Sequence, residues 1–96
     1  MNTDELKASF YLAKISAMRV VGGGEAEKDL SLKDIFRLNN SIGRLASLHP
    51  EERAQLKELQ GDVNLITVGV KNAKREDIER GLELTEKAIE SISSAR

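Results

Sequence analysis

His49 is the only histidine in the 96-residue chain, and there is no cysteine. A single imidazole allows no His pair and no triad within one chain. With Glu52 three residues further on it offers two ligands, where a zinc site takes three or four. We read His49 as a turn residue placed before Pro50. The acidic residues have no spacing that aims two carboxylates inward, so no pair is set up with the unlike pKa values that acid–base catalysis needs. There is no nucleophilic serine elbow, no thiolate, and no Glu-x-x-His pattern of the di-iron helical bundles. Gly22-Gly23-Gly24 would suit a phosphate cradle only with a strand before it and a Lys-Ser/Thr pair behind it. Here helical sequence precedes, and Glu25, Ala26 and Glu27 follow and would repel phosphate. The expectation is a protein that is not an enzyme, with no catalytic residue, no cofactor and no metal.

Nucleic-acid binding is the other chemistry to weigh. Leu32 to Leu38 reads like the first helix of a helix-turn-helix, Asn39-Asn40-Ser41 like its turn, and Ile42 to Leu48 like a second helix. The turn lacks its usual glycine, and the second helix would offer little beyond Arg44 and Ser47 to base edges. Lys71, Lys74 and Arg75 make a small basic cluster, but cations near a helix C-terminus are also plain dipole partners. A small regulatory DNA-binding protein, with a degenerate helix-turn-helix at 32–48, is therefore the alternative reading and not the leading one.

Composition points the same way. Fifteen basic residues against sixteen acidic ones leave a net charge of −1, without the basic excess of nucleic-acid and membrane-surface binders. No apolar run approaches the ~20 residues that span a bilayer. Asp4 and Glu5 precede any apolar stretch, unlike a secretory signal. With no cysteine to form disulfides, the sequence reads as cytoplasmic. The aromatic residues are Phe10, Tyr11 and Phe36, too few for a stacking site, so the core must come from Leu, Ile, Val and Ala. A chain of this length fits one domain, 1–96.

The elements that would position any site are four helices, over about 3–21, 31–48, 50–72 and 74–93, with a flexible glycine-rich linker at 22–30. Asn2 or Thr3 caps the first, and Asp4 and Glu5 suit its N-terminal dipole. Ser31 with Asp34 approximates a capping box for the second. His49-Pro50 ends the second, and Pro50 opens the third at a position where its missing N–H costs nothing. Apolar positions alternate by three and four along each segment: Leu6, Phe10, Ala13, Ala17 and Val20; Ser31, Ile35, Leu38, Ile42 and Leu45; Leu56, Leu59, Val63, Ile66 and Val70; Ile78, Leu82, Thr85, Ile89 and Ile92. That pattern gives one buried seam per helix. The short connections imply an all-α, antiparallel four-helix bundle. VNLITVGV at 63–70 has strand propensity, but the helical seam runs through it, so it is assigned to the third helix.

Apolar residues beyond the seams are the informative surplus. The fourth helix turns Glu76, Glu79, Arg80, Glu83, Glu86, Lys87 and Glu90 outward, a solvated face with no function assigned. The first helix carries Tyr11, Leu12, Ile15 and Met18 opposite its seam, and the third carries Leu65 and Val68 off its seam. Two helices apolar on two sides imply a subunit interface, most simply a two-fold homodimer. The expected function is a non-enzymatic protein–protein interaction module, a structural subunit or adaptor acting through self-association. Asn39 falls inside the apolar face of the second helix, where a buried amide would fix register or oligomer state; Asn40 and Ser41 are expected to face out. Gly43, Gly61, Gly69 and Gly81 lie inside helices, read as sites of close packing or mild bending.

Overall fold

The computed structural model describes residues 1–94, which form α1 (Asp4–Met18), α2 (Glu25–Leu48), a 3-10 turn at Pro50–Glu52, α3 (Arg53–Asn72) and α4 (Arg75–Ser94). No strand occurs among the described residues. The 63–70 segment is helical because its seam residues Val63, Ile66 and Val70 are all fully buried at helical spacing.

Local chemistry sets the boundaries, and three of them differ from expectation. At the start of α1 the Asn2 side chain caps, its Oδ1 accepting the Asp4 N–H at 2.9 Å and satisfying a donor that the helix leaves open. The helix ends at Met18 and not at Val21. Arg19 and Val20 donate to the Ser16 and Ala17 carbonyls in tighter 3.2 Å turns, and Gly22 then takes a φ of +83°. Helix α2 begins at Glu25, so most of the expected 22–30 linker is helix. Its first turn holds Glu25 and Glu27 where the dipole favours acids, and Glu27 reaches back to take the Gly24 N–H at 3.1 Å. Periodicity is silent there because the buried residues of α2 start only at Ser31. Ser31 is consequently a buried mid-helix residue and not a cap. Pro50 opens a 3-10 turn, and α3 proper starts at Arg53. Between α3 and α4, Ala73 sits in the left-handed region at φ 51°. Its N–H bonds the Val70 carbonyl and the Lys74 N–H bonds the Gly69 carbonyl, which together make the Schellman stop that more often uses glycine.

All four seams meet in one apolar core, from Leu6, Phe10, Ala13 and Ala17 of α1 through to Ile78, Leu82, Ile89 and Ile92 of α4. Each large aliphatic side chain enclosed there contributes about 1.5–3 kcal/mol relative to exposure. Thr85, a polar member of a seam, is fully buried and donates to the Gly81 carbonyl at 2.7 Å. The described residues have a radius of gyration of 12.9 Å and extents of 40 × 20 × 17 Å, in line with about 13 Å for a folded chain of 100 residues.

Packing is uneven around this core. Helices α3 and α4 make the most extensive contact, and glycine permits it. A Cβ placed on Gly81 would lie 2.8 Å from the backbone nitrogen of Ile66, and one on Gly69 would lie 2.8 Å from that of Ile78. Gly43 and Gly61 face open space, so close approach explains only two of the four helical glycines. Helix α1 lies mainly on α2 and only lightly on α4, and α3 likewise packs on α2 and α4. Neither α1 with α3 nor α2 with α4 shares a comparable contact, so α1 and α3 stand on opposite sides of the core. Polar pairs mark which residues meet: Thr3 with Ser93 and Lys14 with Glu86 between α1 and α4, Ser9 with Ser41 and Glu5 with Arg44 between α1 and α2, and Lys28 with the Lys71 carbonyl between α2 and α3.

Candidate interaction surface

The residues that sequence reasoning set aside from the seams are at the surface. Tyr11 is 64% exposed, Leu12 52%, Ile15 36% and Met18 50%. At about 100° per residue they centre on the side of α1 opposite Leu6, Ala13 and Ala17, with exposed Ala8 continuing the stripe. Two of the four core positions of α1 are alanine, whereas the outer stripe holds larger side chains. Scattered exposed apolar residues need no explanation, but four together along one helix make a patch that does.

Leu65 and Val68 are also exposed, at 43% and 44%, but they belong to a different place. They line a groove with Asp77 and Arg80 between α3 and α4. Because α1 and α3 lie across the core from each other, that groove and the α1 stripe face opposite ways. One flat contact cannot cover both, so the six residues read together from sequence divide into two surfaces. Phe36 and Leu48 of α2, 65% and 71% exposed, are further apolar surface residues that sequence reasoning left unremarked. Their positions were legible: both fall away from the residues 31, 35, 38 and 42 of the α2 seam on the helical wheel.

Charge borders the α1 stripe on two sides. On the α4 side, Met18 shares a groove with Lys14, Leu82 and the carboxylates of Glu79, Glu83 and Glu86. Lys14 pairs with Glu86 and Lys87 with Glu83, each at 3.0 Å; such exposed pairs contribute at most a few tenths of a kcal/mol to about 1 kcal/mol. On the α2 side, Ser41 and Arg44 touch α1 through Ser9 and Glu5. Lys33, two turns before Ser41, has rotated about 80° toward the outward face of α2, whereas Arg37, one turn before Ser41, keeps to the edge beside α1. Both are exposed, as is Arg19 just beyond α1, while Asp34 on that edge is half-buried.

Ser41, expected to face out, is 3% exposed. It sits under α1, where its hydroxyl bonds Ser9 at 3.2 Å and Glu5 at 3.4 Å. Asn40 does face out. Asn39 is half-buried at the rim of the apolar face and not within it. The buried side-chain polar atom left without a partner among the described residues is Ser31 Oγ. The turn that the alternative reading needs at Asn39-Asn40-Ser41 is uninterrupted helix within α2, as the helix expected over 31–48 requires, so residues 32–48 do not form a helix-turn-helix.

For chemistry, the surface offers little to build on. His49 is half-buried, with Nδ1 3.6 Å from Glu51 Oε1. Among the described residues no group of three or more His, Cys, Asp or Glu side chains is arranged to hold a metal ion. Nor, among the described residues, is any helix long and apolar enough to cross a membrane. One carboxylate is perturbed: Asp62 of α3 is raised above its ordinary value by burial and, secondarily, by Glu58 one turn earlier. No protein-family model matches the sequence, and no curated protein or solved structure matches the chain.

Proposed function

We propose that this chain is a non-enzymatic helical interaction module, an antiparallel four-helix bundle that works by associating with a second copy of itself through the outer face of α1. The antiparallel order is supported by the polar pairs: as numbers rise along α1 from Thr3 to Lys14 they fall along α4 from Ser93 to Glu86, and the same holds for Glu5 and Ser9 against Arg44 and Ser41. The observation that carries the function is the exposure of Tyr11, Leu12, Ile15 and Met18. Covering such a stripe removes apolar area from water at roughly 25 cal/mol per Å², and helix-on-helix burial is a standard way to do so. Leu65 and Val68 lie outside this interface.

The test is molar mass by light scattering across a concentration series, for the parent chain and for Ile15→Lys and Leu12→Lys. The expected result is a concentration-dependent dimer that both lysines abolish, with helicity by circular dichroism unchanged because neither side chain is in the core. A parent chain that remains a monomer at every concentration would overturn the reading. So would variants that dimerise as the parent does.

A further inference from the structure

We propose that the second copy docks with its α1 running parallel to the first, so that the basic edge of each α2 lies against the acidic edge of the partner's α4. This rests on the self-association reading and specifies its geometry. Over the height of the stripe, the α2 edge carries Arg37, with Arg19 at the end of α1, against the half-buried Asp34, and the α4 edge carries Glu83, Glu86 and Glu90, with Glu79 just beyond, against Lys14 and Lys87. The edges flank the same apolar stripe, carry opposite charge, and stand at matching heights. Ser41 lies level with Ser9, so Arg37, one turn earlier on α2, is level with about residue 13 of α1. Glu86 is level with Lys14, so Glu83 is level with about residue 17 and Glu79 with about residue 21.

A closed two-fold contact through α1 has two simple forms. A rotation axis parallel to α1 sets the α2 edge of one copy against the α4 edge of the other, with Arg37 opposite Glu86 at the same height. An axis across α1 sets the net-basic α2 edge against its own copy, and the acidic α4 edge against its own copy, with Glu86 near Glu86 and Glu83 near Glu90. Like charges placed face to face are strongly disfavoured, so the first form is selected.

Reversing one edge at a time tests this. Arg19→Glu with Arg37→Glu, or Glu79→Lys with Glu83→Lys, should each weaken dimerisation about tenfold or more. All four changes in one chain should restore it to within a few-fold of the parent, since the swapped edges again oppose. Association in the parent should also fall with added salt. If Ile15→Lys abolishes the dimer but single-edge reversal leaves it unchanged or tighter, self-association stands and the parallel arrangement is wrong. If the four-fold swap is no better than the single-edge variants, the two edges do not face one another and the arrangement is again wrong. If the parent chain is monomeric throughout, both ideas fall together.

Discussion

Helices α1 and α4 divide their apolar residues in opposite ways. In α4, Ile78, Leu82, Thr85, Ile89 and Ile92 are buried, and Leu84 at 36% is its one large apolar side chain at the surface; the outward face is carboxylates and cations. In α1 the buried set includes two alanines, while Tyr11, Leu12, Ile15 and Met18 stand outside. A charged outer face is already satisfied by water. An apolar outer face is not, and it is the part of this molecule whose side-chain types the fold itself does not require. The packing repeats the contrast. Helix α4 is pressed onto α3 until only glycine fits at two points, whereas α1 lies lightly on α4 and leaves a groove between them.

The sharpest way to break the comparison is at the tight contact. Gly81→Ala would place a methyl group 2.8 Å from the Ile66 backbone nitrogen. Backbone cannot yield as a flexible side chain would, so we expect a loss of about 1–3 kcal/mol in chemical denaturation. Gly61→Ala is the control: its Cβ meets nothing within 4 Å, and relief of glycine's helix penalty should add about 1 kcal/mol. If both substitutions stabilise, α3 and α4 are not in glycine contact. Against this, Ile15→Lys on α1 should leave the stability of the folded monomer within ~0.5 kcal/mol while removing association, which separates core from contact surface in two measurements.

Ser31 lies between these extremes. It is fully buried, and its hydroxyl has no partner. An unsatisfied buried polar atom bears a desolvation cost of ~1–3 kcal/mol. Ser31→Ala removes that atom and improves helix propensity, so a gain of about 1 kcal/mol is expected. A loss of stability would mean that the hydroxyl is bonded in solution.

The same residue shows where the sequence was readable. The spacing of Ser31, Ile35, Leu38 and Ile42 located the seam correctly, as did the spacings in the other three helices, because burying one face of a helix imposes a period that composition cannot hide. Serine's frequent use as a cap pointed to a helix start at Ser31, yet the helix starts six residues earlier, where no residue before Ser31 is fully buried and no apolar period is left to read. Ser41 was misplaced for a related reason. A small polar residue on a wheel looks like surface, but here its small size is what lets α1 lie close over it. The α1 stripe was legible residue by residue, since side-chain types alone revealed the surplus. That Leu65 and Val68 face the other way was not legible, because which helices become neighbours is decided by packing and not by any one helix's pattern.

The smallest effect concerns a charge on the face of α3. Asp62 is raised by partial burial and by Glu58 one turn before it, so the folded chain holds its proton more tightly than the unfolded chain does. With folded pKa above unfolded pKa, stability from this group is greatest in acid, below the ordinary carboxylate value. It declines as pH rises through the ordinary value to the raised one, and at neutral pH the ionised group is a small net cost. Asp62→Asn should therefore stabilise the chain at pH 7 by about 0.2–0.5 kcal/mol, the size of a like-charge pair one helical turn apart. The gain should shrink toward zero as the pH falls below the carboxylate range, where Asp62 is protonated in both states. A gain that persists undiminished in acid would assign the effect to packing or propensity instead of charge. Because Asp62 lies on α3, across the core from the α1 stripe, the variant should leave dimerisation unchanged, and a shift in association would mean that α3 takes part in the contact after all.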